Sequence, residues 1–452
     1  MDPLLAARLQ MAFSLGFHML FAAAGMALPL MMVLAEGIWM VTGNEDARRL
    51  ARTWTRGTAV LFALGAVSGT ALSFELGLLW PRLMAFAGPV MGPAFALEGY
   101  AFFIEAIFLG LYLYGWGRLA THLHWLSGWA VVVGGISSGL IVVAAVSWMQ
   151  RPLGYTVGAN GLVQDVVPLL AIFNPAFGLM TIHSALSTLQ AIGFALAGGY
   201  ALALLLNRRP ERNRYNRIAV TLAMAVALVP ALAQIVTGDF LAQRLYTAQP
   251  PKLAAMEGQF QTERCAPLRI LGWPVPADQQ TYFAIEIPCG LSFLAARDPN
   301  AEVQGLSAFP LDQWPPTQIV HPAFQIMVAS GFAMVGLAAW FWWAWWRDRR
   351  GVRDWTTRRW LLVALALATP LGFLSLESGW TVTETGRQPW VVYQVLRTQD
   401  AVTPIPSIWA SLTGFILLYG GLSIALVLLL RRIAADEGSD RPEDEDSYDA
   451  YG

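Results

Sequence analysis

Residues 97–116, LEGYAFFIEAIFLGLYLYGW, are long and apolar enough to cross a lipid bilayer, yet they carry two carboxylates. Twenty helical residues rise about 30 Å, the thickness of the hydrocarbon core. Glu98 and Glu105 are two turns apart, so they share one helix face about 10 Å apart along the axis. The stretch sits in a chain of 452 residues that is 56% hydrophobic and 13% charged, which predicts a membrane helix rather than the core of a soluble enzyme. Comparable windows fall near 11–40, 53–80, 93–118, 126–148, 177–206, 217–237, 318–346, 360–376 and 405–431. Together they predict an all-α polytopic bundle of nine transmembrane helices.

Positive charge is sorted between the links. Those at 41–52, 118–125, 207–217 and 347–359 hold fifteen Lys or Arg, whereas 81–92, 149–176 and 377–404 hold four. Cytoplasmic links are the basic ones, so an extracytoplasmic N-terminus and a cytoplasmic C-terminus are expected. The chain then divides into transmembrane helices 1–6 (1–237), an extracytoplasmic loop (238–317), helices 7–9 (318–432) and an acidic cytoplasmic tail (433–452). MDPLLAARLQ has no basic n-region, so the first helix is expected to stay in place. Cys265 and Cys289 both lie in the loop, where a disulfide is permitted but no Cα spacing is known to decide it. The formal net charge of −1 gives no sign of a nucleic-acid partner.

A ring nitrogen in hydrocarbon is costly unless partnered, so an intramembrane histidine is a candidate site. Of five histidines, His18 and His183 fall within predicted spans away from basic links, while His122 and His124 sit in a short turn and His321 at a helix entrance. Counted from the outer ends of the windows, His18, His183 and Met327 each lie about 10 Å into the membrane. Imidazole and thioether form an axial pair for haem iron; packing against neighbouring helices is the alternative reading of each. Glu98 and Glu105 point either to a proton path or metal ligand, or to carboxyls satisfied by adjacent helices. The link ESGWTVTETGRQPW (377–390) adds Glu377, Glu384 and Arg387 near the membrane surface, with tryptophans suited to the interface. A carboxylate is a hard ligand suited to Fe(III), and an arginine nearby can hold a haem propionate through paired hydrogen bonds.

These stretches resemble subunit I of the cytochrome bd-type quinol oxidases over the whole chain except the acidic tail. GRQPW (386–390) followed by VVYQVLRTQDAVTP is the most specific match, and residues 97–116, SWMQRPLGY (147–155), TGD (237–239) and QPPKLAAMEG (249–258) match in order. The resemblance implies quinol oxidation on the extracytoplasmic side, reduction of O2 to water, and a proton motive force built by charge separation without pumping. It implies His183 and Met327 as axial ligands of low-spin haem b, Glu384 as ligand of a high-spin haem b, and His18 as ligand of the oxygen-reducing haem, a haem d or a third haem b. Arg387 and Trp390 belong to the cofactor-binding motif. Glu98 lies near the oxygen site, Glu105 on a proton route, and Lys252, the sole lysine, with Glu257 forms the quinol-binding pair of the loop. A second polytopic subunit, small single-span subunits and a multi-pass place in the bacterial cytoplasmic (inner) membrane are also implied.

Two departures stand out. Gln325 stands where many relatives carry arginine, which would lower the low-spin haem's potential, and the compact loop resembles the short-loop, cyanide-insensitive branch. Two rival readings remain: a related haem b quinol dehydrogenase that does not reduce O2, and a secondary transporter, for which repeats and broken helices are the usual signs. Neither sign is evident in the sequence.

Overall fold

Hydropathy finds the part of a helix that lies in hydrocarbon and misses turns that continue it, so the predicted spans emerge longer except 177–206, whose bounds coincide. The computed structural model describes residues 2–159, 161–206, 210–351, 354–403, 405 and 408–436. Its helices are α1 (Pro3–Thr42), α2 (Glu45–Leu79), α3 (Pro81–Tyr114), α4 (Thr121–Gln150), α5 (Pro168–Ile172), α6 (Phe177–Leu206), α7 (Asn213–Ala248), α8 (Pro250–Glu257), α9 (Gly290–Ala296), α10 (Thr317–Arg349), α11 (Arg359–Leu367), α12 (Leu371–Thr385), α13 (Thr398–Ala401) and α14 (Ile408–Asp436). Among the described residues nine helical segments are long and apolar enough to cross a membrane, with α11 and α12 counting as one. The acidic sequence after Asp436 lies outside the described residues.

Three expectations change. The eighth span is broken after Leu367, where Pro370 lacks the N–H and crowds the preceding turn, so a broken helix is present after all. The second half, α12, runs to Thr385, so Glu377 and Glu384 stand on a helix instead of in a link. The stretch from 238 opens as helix, because Gly238 does not stop α7 and the chain first breaks at Gln249, before Pro250.

Antiparallel neighbours α1/α2, α3/α4 and α6/α7 pack as pairs, α1 contacts α4, α6 and α14, and α12 is wedged between α6 and α10. Helix association in lipid relies on close packing at small residues, because lipid tails are as apolar as the helices. A Cβ on Gly372 of α12 would stand 2.4 Å from the Ala191 Cα of α6, and one on Gly193 would stand 2.7 Å from the Ala227 Cβ of α7. A first antiparallel pair, β1 (Thr156–Val157) with β2 (Val163–Gln164), follows α4, and the loop between α7 and α10 is ordered by three more: β3 (Glu263–Arg264) with β8 (Glu302–Val303), β4 (Leu268–Ile270) with β7 (Ile285–Ile287), and the hairpin of β5 (Trp273–Val275) with β6 (Gln280–Tyr282). A disulfide joins Cys265 to Cys289.

Gly372→Val places atoms inside the α6 backbone envelope. Overpacking of this kind costs about 1–3 kcal/mol, so the thermal midpoint of the purified protein should fall by several degrees. An unchanged midpoint would contradict the close α6–α12 approach.

Candidate functional site

His18 is carried by α1 and faces α2. Its Nδ1 lies 3.0 Å from the Ser68 hydroxyl, which itself donates to the Leu64 carbonyl at 2.9 Å, and a Cβ on Gly69 would meet the ring at 2.9 Å. A hydroxyl already donating elsewhere accepts from Nδ1–H, which leaves the Nε2 lone pair as the free coordinating position. His183 of α6 is arranged alike: Nδ1 is 2.9 Å from Thr237 Oγ1 of α7, and Thr237 donates to the Ala233 carbonyl at 3.0 Å. The His183 Nε2 lies 3.0 Å from the Gln234 side-chain amide nitrogen, so a weak donor occupies the position a metal would take. Met327 of α10 lies against α12, its sulfur 3.1 Å from where a Cβ on Gly379 would stand, and its carbonyl accepts from Ser375 at 3.2 Å. Each of the three predicted axial ligands therefore faces a glycine on a neighbouring helix, Gly69, Gly238 or Gly379.

The measured helix ends do not mark a common plane. At 1.5 Å per residue, His18 is about 22 Å from the start of α1, Met327 about 15 Å from that of α10, and His183 about 9 Å from that of α6. The eight residues Pro3–Gln10 by which α1 precedes its window account for the larger figure at His18, whereas α10 begins one residue before its window and α6 begins at its own.

The end of α12 and the first link after it form a charged knot. The Arg387 Nη2 donates to the Glu384 Oε2 at 2.6 Å and Arg387 is almost wholly buried, yet its Nη1 and the Glu384 Oε1 have no partner. Trp390 accepts from the Arg387 Nε through its carbonyl at 3.4 Å and stacks beneath the Arg397 guanidinium at 5.1 Å. Lys252 of α8 donates to the Thr383 carbonyl at 3.1 Å and its stem packs where a Cβ on Gly386 would stand. A cleft of about 280 Å³ opens between α8 and this knot, lined by Lys252, Arg387, Trp390 and Tyr393.

Lys252 and Glu257 are both buried but do not meet. Five residues apart on α8, they lie on different sides of the helix: Lys252 bonds the end of α12, whereas the Glu257 Oε2 is buried without a partner. Burial and the Arg387 guanidinium push Lys252 down to about 7, with Glu384 pulling the other way. Burial pushes Glu257 up to about 8, with Arg269 opposing. Within α3, Glu98 accepts from Ser138 of α4 at 3.2 Å, and Glu105 is packed so closely on α4 that Cβ atoms on Gly134 and Gly135 would stand 3.0 to 3.2 Å from it. The Glu105 Oε1 has no partner.

Sequence reasoning missed several buried polar groups. His124 is not in an exposed turn: α4 begins at Thr121, and the ring lies 2.7 Å from Glu36 and 2.9 Å from the Tyr112 carbonyl, with the Tyr112 hydroxyl also on Glu36 at 2.5 Å. Glu75 accepts from Gln10 at 3.0 Å and Ser14 at 2.7 Å. Glu36 within the first apolar window was the available signal for the former cluster.

A family model described as cytochrome bd terminal oxidase subunit I matches residues 6–438. This chain belongs to that family. A Bacillus subtilis (strain 168) protein named "Putative cytochrome bd menaquinol oxidase subunit I" is 37% identical over 95% of this chain and 96% of its own length. A cytochrome bd ubiquinol oxidase subunit 1 of the same organism is 31% identical over 96% and 93%. The solved bd oxidase from Geobacillus thermodenitrificans superposes with a TM-score of 0.88 at 35% identity, covering 96% of this chain and 99% of that one. Membership in the family implies a haem-containing, multi-pass respiratory oxidase subunit that uses quinol.

The residues present fit haem. Among the described residues no three His, Cys, Asp or Glu side chains gather as a protein-only metal site, whereas a macrocycle-held iron asks for one or two axial donors. The unpartnered Glu384 oxygen and Arg387 nitrogen are buried groups of the kind an iron and a propionate would satisfy.

Glu257 keeps a proton in the folded protein that the unfolded chain loses near pH 4.5, so this group withdraws stability as pH rises from there to about 8. Glu257→Gln cannot ionise and should flatten the decline of the thermal midpoint between about pH 5 and 8. Parallel declines in both proteins would show that burial of this carboxyl is not the cause.

Proposed function

We propose that this chain is the haem- and quinol-binding subunit of a quinol:O2 oxidoreductase in the bacterial cytoplasmic membrane, working with a second polytopic subunit. The reading is carried by the pairing of two imidazoles whose Nδ1 atoms are anchored by hydroxyls, the His183 Nε2 facing only the Gln234 amide, with a buried charged knot touched by the loop lysine. His183 and Met327 hold a low-spin haem b, Glu384 a high-spin haem b, and His18 the oxygen-reducing haem, whether d or b. Bound in these positions, the haems supply one-electron transfer and O2 activation.

The protein's own part is positional and protic. Ser68 and Thr237 fix the tautomer of their histidines, and Arg387 balances the Glu384 carboxylate. Lys252 and Glu257 bind quinol beneath the loop, and Glu257 in its ionised form accepts a hydroxyl proton as electrons depart. Each quinol yields two protons and two electrons, so two quinols match the four electrons that turn one O2 and four protons into two waters. Protons leave on the extracytoplasmic side and are taken up from the cytoplasm past Glu105 and Glu98, so charge crosses the membrane without pumping. The basic links 41–52, 207–217 and 347–359 support that orientation.

Met327→Leu removes the thioether and leaves the packing volume nearly unchanged. The reduced low-spin haem b spectrum should disappear, with quinol-driven O2 consumption falling by at least 100-fold while the other haem signals persist. A wild-type low-spin spectrum would reject Met327 as ligand, and pure protein lacking any Soret band would reject the oxidase reading.

A further inference from the structure

His321 and Gln325 lie one turn apart on the same face at the head of α10, and neither has a role in holding haem or quinol as described above. His321 is fully buried, and its Nδ1 and Nε2 lie 2.7 Å from the Met256 carbonyl and 3.0 Å from the Leu271 carbonyl. The Gln325 Oε1 accepts from Leu271 N–H at 3.0 Å and its amide donates to the Arg269 carbonyl at 3.1 Å. Gln325 therefore makes two bonds to the end of β4, and whichever His321 ring nitrogen carries the proton donates to one of the two carbonyls, so the pair fastens the head of α10 between the end of α8 and the end of β4. Leu271 has φ 61°, a left-handed conformation unfavourable for a side-chain residue; its N–H is held by Gln325 and its carbonyl faces the His321 ring.

The tied segments bracket Glu257. Met256 precedes it, and Gln259, two residues on, accepts through Oε1 from the Arg269 guanidinium. Between them Gly258 adopts φ 62°, and its carbonyl accepts from Thr281 at 2.8 Å. The Arg269 side chain is 14% exposed and also engages Glu286 at 2.9 Å and Glu263 at 3.8 Å. We propose that His321 and Gln325 are positioning residues for quinol oxidation: His321 holds the chain at Met256, just before Glu257, and Gln325 holds the backbone of Arg269, whose guanidinium in turn holds Gln259 just after it. The inference rests on the reading of Glu257 as proton acceptor.

The charged or titratable groups around Glu257 are Lys252 on its own helix, Arg269 with Glu263 and Glu286 from the hairpins, and His321 from α10. Of these Arg269 is the cation acting directly on Glu257, favouring its ionised form. Its removal should therefore move the pH at which Glu257 becomes a base upward.

The test measures kcat/KM for a short-tail quinol against pH on the complete oxidase complex, with haem content matched by spectrum, for wild type, Arg269→Gln, Arg269→Lys, Gln325→Leu and Glu257→Gln. Arg269→Gln should shift the rising limb by about one unit to higher pH, a roughly tenfold loss on the limb. Arg269→Lys should keep the limb near its wild-type position, and Gln325→Leu should shift it in the same direction by less and raise KM. If Glu257→Gln abolishes the limb while Arg269→Gln and Gln325→Leu leave it in place, the grip is refuted and the quinol site stands. If Glu257→Gln keeps the limb, the acceptor assignment falls and this inference with it. Should Gln325→Leu fail to assemble haem, Arg269→Gln decides alone.

Discussion

Hydrocarbon offers no water to satisfy a polar atom, and that scarcity governs where this chain puts its chemistry. Each described intramembrane histidine and acid discussed above either has a hydrogen-bond partner from another helix or keeps an atom unpartnered in the interior. His18, His183, Glu75 and Glu98 are bonded by hydroxyls or amides from neighbouring helices. Glu105, Glu377 and Glu384 each retain a buried carboxylate oxygen with no partner. An unpartnered buried carboxylate oxygen costs on the order of 1–3 kcal/mol or more, so a bundle retaining several of them is built around something that meets them.

The same constraint explains the glycines. A polar side chain reaches its partner only if the two helices come close, and close approach requires that one surface lack a Cβ. Gly69 admits the His18 ring, Gly379 the Met327 sulfur, and Gly134 with Gly135 the Glu105 carboxyl. Packing and chemistry are therefore not separate layers here: the residue that lets α12 lie on α10 is the one that gives Met327 its place.

How much of this was legible in the sequence depended on range. The number and order of spans followed from apolar length, which is a local property, and the loop's place followed from composition. Helix ends were not legible, because polar turns outside hydrocarbon continue a helix without a hydropathy signal; α1 extends to Pro3 and α12 carries Glu377 and Glu384 in its final turns. His18, His183 and Met327 were legible as candidates because depth makes a polar or sulfur side chain conspicuous. His124 and His321 were not, since both sit at helix entrances, where exposure is the natural expectation and only the fold reveals Glu36 or the Met256 carbonyl beside them. Lys252 and Glu257 were legible as two residues of one motif but not in their relative orientation: five positions on a helix separate them by about 140° around the axis.

That separation bears on how the loop and the bundle act together. Lys252 bonds the carbonyl of Thr383, the residue before Glu384, and its charge is opposed by Arg387. Glu257 instead belongs electrostatically to the loop hairpins through Arg269. One short helix, eight residues long, thus couples to the bundle at its start and to the loop at its end. A substrate hydroxyl bonded to either residue sits beside a network that reaches a proposed iron ligand on one side and a solvent-facing set of carboxylates, Glu263 and Glu286, on the other. In the proposed function, electrons and protons released at one place therefore have different nearest acceptors, set by the two ends of one short helix.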